Sequence, residues 1–319
     1  MTDKTPLASN KEQYKVYCEA HPEIPLFSQY WWMEAVCYKK QWDVLLIHQE
    51  GEIVASLPYL IGNKWGFRYI LQPQLTQTNG VWINYPADMN ANKRLHVDKL
   101  LCTEFIRQLN QLHLSYFKQC FHHSFTNWLP FYWEGFSQTT RYSYIIEDIS
   151  NPDELYPQFA KNKRKQINRA QRSLHTTFDI SAEQFYNALC LQREKTLYSK
   201  EFFQHVHQAV MQKNSGFIVG VEDASGELHC AVFIVYDKTT AYFLATAINP
   251  KFRNSGATAL MIWECIKKAS TLRLQHFDFE GSMNKEIEHS HRGFATKQVP
   301  FFEITKAFNC VGKIVDKLL

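Results

Sequence analysis

The chain has 319 residues, 45% hydrophobic and 21% charged, enough to bury a sizeable core without disulfides or metals. Its 35 Lys+Arg against 31 Asp+Glu leave a net charge of +4, too balanced to announce a nucleic-acid binder. The longest run without a polar residue is the seven residues 230–236, far short of the about 20 that a membrane-spanning helix needs.

Two domains are expected at about 150 residues each, 1–150 and 151–319. Seven of the eight Trp fall before residue 134, so the halves differ in character. The eight cysteines contain no C-x-x-C pair, and the first six residues have no apolar core. Free thiols in a reducing cytoplasm are the expectation.

In chain order, the pattern predicts aromatic-rich helices at 9–21 and 28–38, then strands at 43–49, 53–61, 67–71 and 80–84. Glu50-Gly51-Glu52 reads as a hairpin turn. A helix follows at 94–112, with Leu95, Leu101, Phe105, Leu109 and Leu112 on its apolar side, then strands at 116–121 and 142–147. Asn151 reads as an N-cap, with Pro152 at the first helical position, opening a helix that runs to Leu174. Two helices occupy 182–213. Strands at 217–222, 228–236 and 240–247 come next, then a turn at 249–256, a helix at 257–272 and a strand at 276–279. A short helix, a strand at 299–305 and a last helix close the chain. A weak repeat shows through this order. In each half a strand enters a Gly-Glu turn, Gly51-Glu52 or Gly226-Glu227, and leads to two strands, a helix and a strand. The fold class expected is α/β (α+β), two mixed-sheet domains.

Three segments carry residue types suited to chemistry. At 245–257 a strand runs through a polar turn into a helix at Ser255-Gly256-Ala257. Helix N-terminal amides favour anions, and Arg253 adds charge; the bland reading is a capped helix. Residues 161–172 hold six basic residues and no acid. On a helical wheel Leu155, Phe159, Ile167, Ala170 and Leu174 form a stripe. Lys161, Lys165, Arg169 and Arg172 lie opposite and read as solvated, with RNA binding by this outer face as a separate reading. Lys163 falls inside the stripe, where it either reaches an anion with Arg164 beside it or snorkels out. At 278–283 a strand ends in Asp278-Phe279-Glu280-Gly281-Ser282-Met283. Glu280 reads as a general base, or as an N-cap or a salt-bridge partner. The pairs His122-His123, His205-x-His207 and His289-x-His291 lack further ligands at zinc spacing, so no metal is expected.

Taken together, these segments resemble the FemAB-like (Fem/peptidyltransferase) branch of the GNAT acyltransferase superfamily. Asn162-Lys163-Arg164-Lys165-Gln166-Ile167-Asn168-Arg169-Ala170 is similar to the family's basic helix. Arg253-Asn254-Ser255-Gly256-Ala257 is similar to its coenzyme A turn, with one glycine of two. His276 to Ser282 resembles its Asp-Phe-x-Gly strand. Arg292-Gly293-Phe294-Ala295 with Gln298-Val299-Pro300 resembles its closing segment, with Ala295 where the family has glycine.

The resemblance implies two GNAT-like domains packed about a cleft, and transfer of an acyl or aminoacyl group from an activated carrier to an amine, that of a cell-envelope precursor or another. Acyl-CoA is the favoured co-substrate, with no permanently bound cofactor. The 40 residues between the basic helix and the next strand leave no room for the long helical arm of tRNA-using relatives, so aminoacyl-tRNA stands second. Thr246 and Ala247 would face the donor's arm, and Arg253, Asn254, Ser255, Gly256 and Ala257 its phosphates. Asn162, Lys163 and Arg164 would bind the substrate. Tyr242 and Glu280 are the candidates for proton transfer. The competing reading is a catalytically silent GNAT-fold protein that binds a ligand or partner.

Overall fold

The computed structural model describes residues 9–192, 198–281 and 283–318. The chain folds as two compact units, one ending at Thr140 and completed from Phe301 onward, the other Arg141–Pro300. The expected division, 1–150 and 151–319, therefore differs from the observed one chiefly at the C-terminus.

The first unit opens with α1 (Asn10–Ala20). Ser9 Oγ accepts from the Glu12 amide, and the Glu12 carboxylate accepts from the Ser9 amide at 2.7 Å, a reciprocal cap. After α2 (Tyr30–Val36), strands β1 (Trp42–Gln49), β2 (Glu52–Lys64) and β3 (Phe67–Leu71) form an antiparallel meander. Short β4 (Trp82–Ile83) pairs with β2. Helix α3 (Ala91–Gln111) starts where the Asn90 side chain accepts from the Lys93 amide. It crosses to β5 (Leu114–Phe121), parallel to β3. Leu101, Phe105 and Leu109 of α3 are buried with Phe117, Phe121 and Phe131, but Leu95 is exposed. The five-residue α4 (Leu129–Trp133) has too little periodicity to be read from sequence.

The second unit takes most of β6 (Ser137–Ile146). The helix expected over 151–174 is broken. Only α5 (Pro152–Leu155) forms before a tight turn at Tyr156–Gln158, where Pro157 interrupts the amide ladder. Asn151 caps no amide; its side chain donates to Glu154 instead. Helix α6 (Lys161–Ala170) then starts afresh, and Leu174 begins an edge strand, β7 (Leu174–Thr177). Helices α7 (Ala182–Gln192) and α8 (Lys200–Gln212) precede an antiparallel set, β8 (Gly216–Asp223), β9 (Leu228–Tyr236) and β10 (Thr240–Ile248). Helix α9 (Ala257–Thr271) crosses to β11 (His276–Asp278), parallel to β10, and β6 flanks β11 antiparallel. Helix α10 (Lys285–Arg292) follows.

The chain returns to the first unit through β12 (Lys297–Ala307), antiparallel to β5, and α11 (Cys310–Leu318). The weak sequence repeat is thus a repeat of topology. Strands β1-β2-β3, α3, β5 and β12 have the same pairing senses as β8-β9-β10, α9, β11 and β6. In each unit the last strand comes from outside the repeat, which is why 301–319 does not stay with the second half. Among the described residues no helix is long and apolar enough to cross a membrane.

Candidate functional site

Strand β10 and the turn after it build the site. The parallel register of β10 with β11 covers only Thr240–Tyr242 against His276–Asp278, yet β10 runs on to Ile248. Beyond Tyr242 the edge of β10 leaves its parallel partner, and a bulge between Phe243 and Ala245 bends it further. The following turn is pinned at its start: Asn249 Oδ1 accepts from the Lys251 amide, and the Asn249 amide donates to the His229 carbonyl. Gly256 closes the turn with φ +86, and a Cβ there would stand 2.9 Å from the Gln166 carbonyl of α6. Glycine is needed for left-handed backbone and for close packing of α6 on α9.

A pocket of about 670 Å³ opens at this turn. Lys163, Gln166 and Arg169 of α6 form one wall, Arg253, Asn254 and Gly256 the next, and Glu286 and Ser290 of α10 a third. Three cations face one carboxylate at the N-terminus of α9, a field suited to an anion. Lys163 Nζ donates to Ser290 Oγ at 2.9 Å and lies 5.0 Å from the centre of the Phe294 ring. Burial lowers its pKa. Gly293 leaves room for its stem, since a Cβ there would meet Lys163 Cε and Cγ at 2.9 Å. Arg169 donates to the Asn254 carbonyl and so ties α6 to the turn.

Of the sequence candidates, Lys163, Arg253, Asn254 and Gly256 line this pocket; Asn162, Arg164, Thr246, Ala247, Ser255 and Ala257 do not. Asn162 is exposed, and its side chain accepts from the Lys163 amide. Arg164 donates to the Phe159 carbonyl. Ser255 Oγ accepts from the Ala257 amide at 3.2 Å and caps α9. Ala257 is buried in the core, so a second glycine at this place would not widen the pocket. Thr246 pairs with Val232 and Ala247 with Ala231, on opposite faces of the sheet.

Tyr242 and Glu280 belong to a second group of polar side chains. Phe243 and Phe277 pack in the core with α9, so their neighbours Tyr242 and Asp278 project from the other face. Tyr242 Oη donates to Asp237 at 2.8 Å, and burial raises its pKa well above 10. Asp278 accepts from Ser143 Oγ and from the Glu280 amide at 2.7 Å; burial pushes its pKa up to about 6. Glu280 has φ +57. Its Oε1 is buried without a hydrogen-bond partner, and burial, then Asp278, raises its pKa well above the usual carboxylate range. The structure does not bring these residues into the cationic pocket. Ser282 of this segment lies outside the described residues. Among the described residues no three His, Cys, Asp or Glu side chains are placed to hold one metal ion.

Residues 158–286 match the acetyltransferase (GNAT) domain family. The second unit carries a GNAT acyltransferase domain. No curated protein sequence matches the chain significantly. Among solved structures it is similar to FemX, at 11% identity and TM-score 0.67, over 93% of this chain and 96% of that one. It is also similar to a tandem GNAT protein from the clavulanic acid biosynthesis pathway, at 10% identity and TM-score 0.55, over 93% of each chain. A third is L-PGS from Bacillus licheniformis, at 10% identity and TM-score 0.52, over 87% of this chain and 91% of that one. The chain has the two-domain GNAT fold, as the sequence resemblance implied.

The GNAT pocket also contains residues that sequence reasoning passed over. Arg169 was expected on the solvated face of the basic helix, yet it borders the pocket. A usable signal was present: Lys163, Gln166 and Arg169 are spaced i, i+3, i+6 and follow one side of α6. Glu286, Ser290 and Gln192 had no such signal. Gln192 Oε1 accepts from the Ile248 amide at 3.2 Å and holds the end of β10.

Proposed function

We propose that this protein moves an acyl or aminoacyl group from an activated carrier, acyl-CoA first, to an amine. The observation that carries this is the cationic pocket of Lys163, Arg169 and Arg253 at the N-terminus of α9, beside the freed edge of β10. The donor's phosphates would lie against these cations and the turn at 253–256. Its arm would run along the backbone of residues 243–248, whose edge no longer faces β11. An amine then attacks the donor carbonyl; the carbon–nitrogen bond forms, the carbon–sulfur bond breaks and the thiolate leaves. The protein's contribution is to hold both partners in line and to remove the amine proton. Glu280, at the end of β11 with an unpartnered Oε1, is the better base candidate. Tyr242 Oη already donates a hydrogen bond to Asp237, which suits a structural place.

The C-terminal DUF2156 domain of an Agrobacterium fabrum protein named for lysylphosphatidylglycerol synthesis is also among the similar folds, at 10% identity and TM-score 0.55. It keeps an aminoacyl group in view as the transferred unit. No disulfide joins any of the eight cysteines; a reducing cytoplasm is the site of action that this reading expects. Calorimetric titration of the native chain and of Arg253→Ala with coenzyme A and acetyl-CoA tests the reading. Micromolar binding, weakened about ten-fold by the substitution, is expected. Absence of binding by the folded native chain would move the donor to an aminoacyl carrier. Binding without turnover of any amine would favour a silent ligand-binding protein.

A further inference from the structure

The hairpin tip between β2 and β3 is Asn63-Lys64-Trp65-Gly66-Phe67-Arg68, and all six residues are exposed. Trp65 is 85% exposed and Phe67 39%. Trp65 and Gly66 form a two-residue loop between the paired Lys64 and Phe67, with φ +55 and +82. Two positive φ values define the type I′ geometry, where Asn or Gly is favoured at the first place. A bulky residue there is an outlier. The other tight hairpin of this unit also carries a non-glycine residue at that place, but a charged one. Between the paired Gln49 and Glu52, Glu50 and Gly51 adopt φ +50 and +89, and the exposed side chain is polar.

Trp65 therefore gives the fold little in return for its strained backbone. It buries almost no surface, and its ring is approached by Lys64 Nζ at 4.7 Å. Along the chain, the charge flanking it has one sign. From Ile53 to Ala87 there is no acidic residue, and Lys64 and Arg68 are the charged side chains of that stretch.

We propose that this tip is a membrane-surface anchor. Trp65 and Phe67 enter the headgroup boundary of a bilayer, and Lys64 and Arg68 face anionic phospholipid headgroups. Indole rings favour the interfacial layer, where an apolar body and a polar N–H are both accommodated. Flanking cations add attraction to anionic lipid. A convex tip favours this surface over single-stranded RNA, which is held by stacking in a cationic groove. One short tip gives weak, reversible, salt-sensitive attachment.

The test is co-sedimentation of the full chain with phosphatidylcholine vesicles, with and without phosphatidylglycerol. The native chain is expected to bind the anionic vesicles and to leave them at high salt. Trp65→Asn is expected to weaken binding about ten-fold while the melting temperature holds or rises, because Asn suits the turn. Lys64→Glu with Arg68→Glu is expected to cost about five-fold per charge. The idea is overturned if the native chain ignores anionic vesicles, if Trp65→Asn sediments like the native chain, or if the tip substitutions abolish retention of single-stranded RNA instead.

Discussion

The ring of His229 lies flat on that of Phe252, with centroids 3.8 Å apart and planes 1° from parallel. Phe252 sits in the turn between β10 and α9, so this contact fastens the turn to the start of β9. His229 is buried, and its Nε2 stands 3.3 Å from Asp223 Oδ2. Asp223 Oδ1 also accepts from Ser225 and Glu227 and shapes the β8–β9 hairpin. His229→Ala should lower stability by about 2–4 kcal/mol and weaken coenzyme A binding. His229→Phe keeps the stack and removes Nδ1, a buried nitrogen with no partner; it should bind coenzyme A nearly as the native chain does. Denaturant unfolding and calorimetry on both variants decide this.

Lys163 is held by Ser290 and Phe294 over the space that Gly293 leaves. Gly293→Ala should displace the lysine stem and weaken donor binding, as Lys163→Met should. The two differ in stability. The methionine relieves a partly buried charge and should cost less than about 1 kcal/mol, whereas the alanine overpacks and should cost about 1–3 kcal/mol. Equal affinity for coenzyme A in all three proteins would remove Lys163 from the site.

Asp278 gives the unfolding free energy a definite pH dependence. Its folded pKa, about 6, lies above the ordinary 3.8, so the folded state binds its proton more tightly. Stability from this group is greatest at low pH and falls as pH rises between about 4 and 6. Glu280, shifted the same way, adds to the trend. Asp278→Asn still accepts from Ser143 and the Glu280 amide. It should raise stability at pH 7.5 by up to about 3 kcal/mol, with a much smaller gain at pH 4. Urea titrations at the two pH values measure it; an equal effect at both would refute it.

Ala295 has φ +59, a left-handed backbone at the place where the resembled family has glycine. Ala295→Gly should raise the melting temperature, with a gain of about 0.5–1 kcal/mol after the added freedom of the unfolded chain is counted. A calorimetric scan showing a lower melting temperature would mean that the alanine methyl packs well enough to outweigh the strain.

Much of the second unit was legible because its elements are set by local patterns. Apolar runs, unbroken over 230–236 in β9, marked β8 to β10, and a long apolar helix after a polar turn marked α9. The break between α5 and α6 was legible in principle from Pro157, but the basic run looked like one helix and hid it. Leu174, counted in that helix stripe, is a strand residue for the same reason. Arg169 is exposed, as the wheel has it, yet its side chain reaches the Asn254 carbonyl and the rim of the pocket, because a wheel gives the direction of a Cβ and not the reach of a long side chain.

By itself the sequence determined two mixed α/β units and, through its resemblance to the family, the GNAT-like architecture; it singled out the turn at 253–256 and Lys163 as candidates. The units follow from local element patterns, the architecture from the motif resemblance, and the two candidates from a polar turn at a helix start and from charge placed inside an apolar stripe. Only the tertiary structure decided which candidates share a space. The strand alternation put Tyr242 and Asp278 on the face of the sheet away from α9, and the pairing of β12 with β5 returned the C-terminus to the first unit. Both depend on contacts between residues far apart in the chain, and side-chain facing changes with every bulge and register shift. Periodicity along one segment carries no record of them.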